Sequence, residues 1–88
     1  MKVTVIYEED HGLLAIAKDY VAAIKWLVES GWMTQHSEIY DYNTLKFYKF
    51  KDWFGDGWLG RILGMTLAQF NELETNFCLK EEEVYCAS

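Results

Sequence analysis

Both flanks of the chain carry a β-type pattern, KVTVIY at residues 2–7 and CLKEEEVY at residues 78–85, while helical periodicity lies between them. A strand cannot stand alone, because its backbone N–H and C=O groups need a ladder partner. The closing segment must therefore find its partner far back in the sequence. In the opening segment Val3, Val5 and Tyr7 share one face, and Thr4 and Ile6 share the other. The polar loop EEDHG follows, and LLAIAK after it predicts a second strand from Leu13 to Lys18, making a β-hairpin. Hairpin and closing strand together predict a three-stranded antiparallel sheet.

The middle of the chain supplies the helices. Asp19 stands at an N-cap position ahead of YVAAIKWLVES, which places Tyr20, Ala23, Ile24, Leu27 and Val28 on one stripe, and Gly31 is placed to end that helix. Glu38 to Asp41 suits a brief extended piece. Thr44 is expected to cap a helix running through Phe54, although Phe47, Tyr48 and Phe50 also suit a strand. FGDG breaks that element. Asp56 is then expected to cap a short turn through Leu63, and Thr66 to cap a helix over LAQFNELE. With 88 residues and no proline, repeat or linker, the expectation is a single α+β domain over residues 1–88. Two to three helices should pack on one face of its sheet.

Composition excludes several function classes. Fourteen acidic against eight basic residues give a formal net charge of −6, which repels free nucleic acid and favours basic partners. No stretch approaches the roughly 18 apolar residues of a membrane span. The opening run ends in acids rather than in a small-residue cleavage site, so it reads as a strand and not as a signal peptide. A cytoplasmic protein is expected. Cys78 and Cys86 on one extended strand would lie roughly 26 Å apart, which predicts free thiols and a reducing compartment. Neither belongs to a CxxC pair, and His11 and His36 lack ligand spacing, so neither a metal nor another cofactor is expected.

No arrangement of nucleophile, base and oxyanion stabiliser is legible, and the chain is read as a non-enzyme. Asp10 and His11 are adjacent in the hairpin loop, where solvation suits them. Cys78 is expected to lack a basic neighbour on its own face, Lys80 being placed on the other. WFGDGWLG contains neither glycine-rich nucleotide motif. Its interest is aromatic, and Trp58 is the side chain expected to serve as an interface anchor, with Trp32 and Tyr42 as further candidates. The remaining signal is acidic: Glu8, Glu9 and Asp10 at the hairpin tip, and Glu81, Glu82 and Glu83 on the final strand. Such runs commonly guard a sheet edge. Alternation also projects Glu81 and Glu83 from one face at about 6.6 Å, a row of carboxylates able to imitate a phosphate backbone.

The opening MKVTVIYEEDHGLLAIAKDYVAAIKWLVESGW and the closing MTLAQFNELETNFCLKEEEVY resemble small proteins carried by phages and mobile elements of Gram-positive bacteria. In size and acidity the chain is also similar to anti-CRISPR proteins. What this resemblance implies is a DNA mimic acting in the bacterial host cell. It would be a protein-binding module that inhibits a nucleic-acid-handling enzyme, with a Cas9-type nuclease as the specific candidate, by occupying its basic DNA-binding surface. The six carboxylates and Trp58 would carry the contact. The alternative expectation is a non-enzymatic structural or regulatory protein that self-associates through a sheet edge or an aromatic patch; the chain is expected to be a monomer or a homodimer.

Overall fold

The computed structural model describes residues 1–55 and 58–84. It is an α+β fold whose elements follow in the order β1 (Lys2–Glu8), β2 (Gly12–Ala17), α1 (Tyr20–Glu29), β3 (Glu38–Asp41), β4 (Lys46–Lys49), α2 (Phe50–Gly55), α3 (Trp58–Leu63), a 3₁₀ turn (Leu67–Gln69) and β5 (Asn76–Glu83). The expected hairpin is present, and β5 does return to it, pairing antiparallel with β1 from Lys2↔Glu83 to Glu8↔Phe77. The sheet nevertheless has five strands in the order β2-β1-β5-β3-β4, not three. It is mixed rather than wholly antiparallel, because β3 runs parallel to β5 from Glu38↔Asn76 to Asp41↔Leu79.

Of the two further strands, β3 is the extended piece expected at Glu38 to Asp41, and β4 comes from the segment expected to be helical. Thr44 caps no helix there. It lies in the turn between β3 and β4, and Phe47 and Tyr48 are strand residues whose helix begins only at Phe50. That turn is held by Asp41, whose Oδ1 accepts from the Asn43 N–H at 2.8 Å and whose Oδ2 accepts from the Thr44 hydroxyl at 3.1 Å. Leu45 closes it with φ of 57°, a left-handed position that glycine or asparagine usually fills. The helix expected over LAQFNELE shrinks to a single 3₁₀ turn. Gln69 accepts from the Thr66 N–H at 2.7 Å, but Phe70 is already extended and dives into the core. Asp56, Tyr85 and Cys86 lie outside the described residues.

Helix α1 forms where expected. The Asp19 side chain accepts from the Ala22 N–H at 2.8 Å, and Gly31 leaves the helix at φ of 81°. Its Ala23, Ile24 and Leu27 pack with Ile6, Ile39, Phe77 and Leu79 of the sheet and with Phe50, Trp53, Leu59 and Phe70 of the later helices and turn. Each such large side chain contributes about 1.5–3 kcal/mol on burial. The register puts Ile6, Leu79 and Ile39 on the helix-bearing face, and Val5, Tyr7, Cys78, Lys80 and Tyr40 on the other.

Strand β5 outruns β3. Beyond Leu79 its β3 side has no strand partner among the described residues. The Asn43 side chain accepts the Glu81 N–H at 3.2 Å, and alternation turns the backbone of Glu83 to that same free edge. The glutamates thus occupy the one stretch of the innermost strand that is also an edge, where charge discourages uncontrolled strand addition.

Candidate functional site

The hairpin-tip acids do not act as one surface. Glu8 is buried, and its carboxylate is spent on its own loop: Oε2 accepts from the Asp10 and His11 backbone N–H groups at 2.9 and 2.8 Å and meets His11 Nδ1 at 2.6 Å. The His11 contact, with those two amides, outweighs burial and holds the Glu8 carboxyl below the ordinary glutamate range. His11 in turn packs edge-on against Trp32 with ring centroids 5.0 Å apart. Asp10 and His11 are therefore parts of a loop clasp. Glu9 is exposed and accepts from the Asn76 side chain at 2.8 Å.

The second acidic run lies at the other end of the β1–β5 pair, about 20 Å away along seven residues of strand. Each of its carboxylates has a cation close by. Glu81 is 3.4 Å from Lys2 Nζ, Glu82 is 3.5 Å from Lys80 Nζ, and Glu83 is 3.0 Å from the Met1 amine. All three pairs are solvent-exposed, and such pairs hold with only about 0–1 kcal/mol. A better-placed guanidinium would displace them at little cost. Glu81 and Glu83 stand on the helix-bearing face, continuing the row of Phe77 and Leu79, whereas Glu82 stands on the opposite face beside Lys80.

Trp58 joins the acids at that end. It lines a pocket of about 260 Å³ with Tyr20, Asp41, Tyr48 and Trp53. Trp53 is the hub, with ring centroids 5.7 Å from Trp58, 6.0 Å from Tyr48 and 6.4 Å from Tyr20. Burial first, then the Asp41 carboxylate and Tyr48, push the Tyr20 hydroxyl far above the usual phenol range, so its ring stays neutral. Leu79 is the neighbour of Asp41 in register, and Glu81 is the next residue outward on that face of β5. The structure thus brings Trp58, Glu81 and Glu83 to one end of the molecule and leaves Glu8, Glu9 and Asp10 at the other.

A further surface has no counterpart in the sequence reading. On the helix-free face, Leu13, Tyr7, Cys78, Tyr40 and Phe47 form a single register row across all five strands. Leu13 and Phe47 are 56% and 73% exposed at its two ends, too open for core residues. Tyr40 is flanked by the rings of Phe47 at 4.6 Å and Tyr42 at 4.8 Å. The row was hidden because two of its five strands were read as helix or as an isolated piece. Lys80 shares this face with Cys78, since residues two apart in a strand point the same way, and both line a shallow pocket with Tyr7 and Tyr42. The Cys78 thiol is still pushed up by burial, against the hydrogen bond from Tyr42, which keeps it protonated rather than nucleophilic.

Among the described residues no group of three or more His, Cys, Asp or Glu is placed to hold a metal ion, and no helix is long and apolar enough to cross a membrane. No protein-family model matches the chain, and no curated protein or solved structure matches it at a meaningful level.

Proposed function

We propose that this chain is a non-catalytic binding module that captures a basic protein surface and inhibits a nucleic-acid-handling enzyme by filling its DNA-binding groove. A Cas9-type nuclease is the specific candidate. The observation that carries this reading is the convergence of Glu81, Glu83, Asp41 and Trp58 at one end of the helix-bearing face. Carboxylates spaced along a rigid strand meet arginines and lysines well, and a partly buried tryptophan beside them is the type of side chain that anchors an interface. The net charge of −6 speeds encounter with a basic groove. The contact surface is narrower than the six carboxylates expected from sequence, because the hairpin tip faces away from it.

The test is to mix the purified protein with basic nucleic-acid enzymes, a Cas9-type nuclease among them, and to follow both complex formation and DNA cleavage. Binding should suppress cleavage and weaken as salt rises. If no such enzyme is bound, or if the complex is indifferent to salt, the reading fails.

A second reading is favoured by a different observation. The exposed aromatic row on the helix-free face suits self-association, with two copies covering each other's Phe47 and Leu13. Sedimentation across a concentration series should then show a dimer that persists in high salt and is lost with Phe47→Ser. A monomer at all concentrations removes it.

A further inference from the structure

The pocket around Trp53 is built from five separate elements: Tyr20 from α1, Asp41 from β3, Tyr48 from β4, Trp53 from α2 and Trp58 from α3. Four aromatic rings and one carboxylate share it. Ring faces carry the negative lobe of the aromatic quadrupole, so walls of this kind attract cations and repel anions. Asp41 sharpens that preference. It is 7% exposed, and among the described residues no lysine, arginine or histidine lies within 4.0 Å of it. Among the described residues its carboxylate accepts two hydrogen bonds, from Asn43 and Thr44, one on each oxygen. A nearly buried carboxylate without a counter-charge is costly, and a cation in the pocket would offset that cost.

We infer that this pocket is an aromatic cage that receives one alkylammonium head group, supplied by a lysine of the basic partner. The lysine assignment rests on the function proposed above; the cation preference does not. Size and shape choose the head group. The pocket is an open recess of about 260 Å³, wide enough to admit an alkylammonium head group from the surface. The rings stand at 72° (Tyr20), 54° (Trp58) and 40° (Tyr48) to Trp53, so they present several orientations rather than one stacking plane. Such an arrangement suits a compact ammonium. The chain carrying that lysine would pass Glu81 and Glu83, which stand just outward of Asp41 and can pair with neighbouring basic residues.

The test uses the intact protein and probes that include no nuclease. Choline is titrated against its uncharged carbon isostere, 3,3-dimethylbutan-1-ol, while the indole N–H resonances of Trp53 and Trp58 are followed by NMR. Choline should shift both in a saturable way, with the neutral isostere binding roughly tenfold more weakly. Asp41→Asn keeps the shape and an acceptor for the turn, and should weaken choline by a similar factor without lowering the melting temperature. Trp58→Leu, which removes one partly buried wall but keeps an apolar side chain against the core, should weaken choline likewise and serves as the second, independent variant. A short lysine-rich peptide should compete with choline, and the same peptide with acetylated lysines should not. Equal shifts from choline and its isostere, or none from either, would overturn the cage. Choline binding without competition from the lysine peptide would overturn the lysine assignment and make a free quaternary ammonium compound the ligand. A nuclease that is not bound leaves the choline result standing, and a failed choline titration leaves nuclease inhibition to be judged by its own assay.

Discussion

At the hairpin tip the Glu8 carboxylate turns inward and closes its own loop, while at the far end of the same strand pair Glu81 and Glu83 turn outward with only loose ion pairs. As strings of letters, EED and EEE are nearly the same. What separates them is the backbone beside each one. The loop after β1 offers N–H groups with no ladder partner, and a carboxylate supplies the missing acceptor. The end of β5 is paired on its β1 side, and on its β3 side the Asn43 side chain meets the Glu81 N–H, so the carboxylates are left to exposed cations at the surface. The role of an acidic run is set by the unmet backbone groups around it more than by its charge.

This contrast can be broken by mutation. The largest expected effect is on recognition. Glu81→Ala combined with Glu83→Ala should weaken partner binding by about 1–3 kcal/mol, as loss of charge-assisted contacts does, with the melting temperature nearly unchanged. Isothermal titration and a thermal melt on the same sample check it, and a double variant that binds normally but melts early reverses the assignment of the two runs. Next in size, Glu8→Ala should lower the melting temperature by roughly 5 °C through the two stranded amides, and leave partner binding alone. Asp10→Ala in the same loop serves as the matched control, with little change in either quantity.

The smallest effect is in acid. Because the Glu8 carboxyl is held below its ordinary value of 4.5, its contribution to stability is fully present above that value and is lost as pH falls through the lower, folded-state value. The hairpin tip should therefore loosen below pH 4.5, seen as faster hydrogen exchange at the His11 amide. In Glu8→Gln that pH dependence should vanish. Its survival in the variant would mean that another group governs the loop.

The comparison also shows where sequence reasoning stopped. Asp19, the stripe from Tyr20 to Val28 and Gly31 specify α1 through local signals, and the alternation of Phe77, Leu79, Glu81 and Glu83 correctly separates a buried half of β5 from an exposed half. The β3–β4 hairpin was not legible as such. Its turn has no glycine, since Leu45 takes the left-handed position, and Phe47, Tyr48 and Phe50 fit both periodicities. Glu38 to Asp41 reads as extended, but without β4 and the pairing between the two, what depends on them is not legible either: the five-residue row on the helix-free face, and the meeting of Asp41 and Tyr48 with Trp53 and Trp58. Trp58 itself was singled out by residue type alone. Its partners come from elements that no local pattern connects.

The position of β5 has a consequence for how the molecule assembles. It is the last of the nine elements among the described residues, yet it lies in the middle of the sheet, joined to β1 on one side and to β3 on the other. Until residues 76–83 arrive, β1–β2 and β3–β4 are two separate hairpins, each with an unpaired edge facing the gap. Joining them means closing loops that span most of the chain, and contacts of such sequence separation slow folding. A nascent or clipped chain lacking β5 would be two half-sheets without the strand that joins them and with a core short of Phe77 and Leu79, and would expose at those inner edges the kind of surface that adds strands from other molecules.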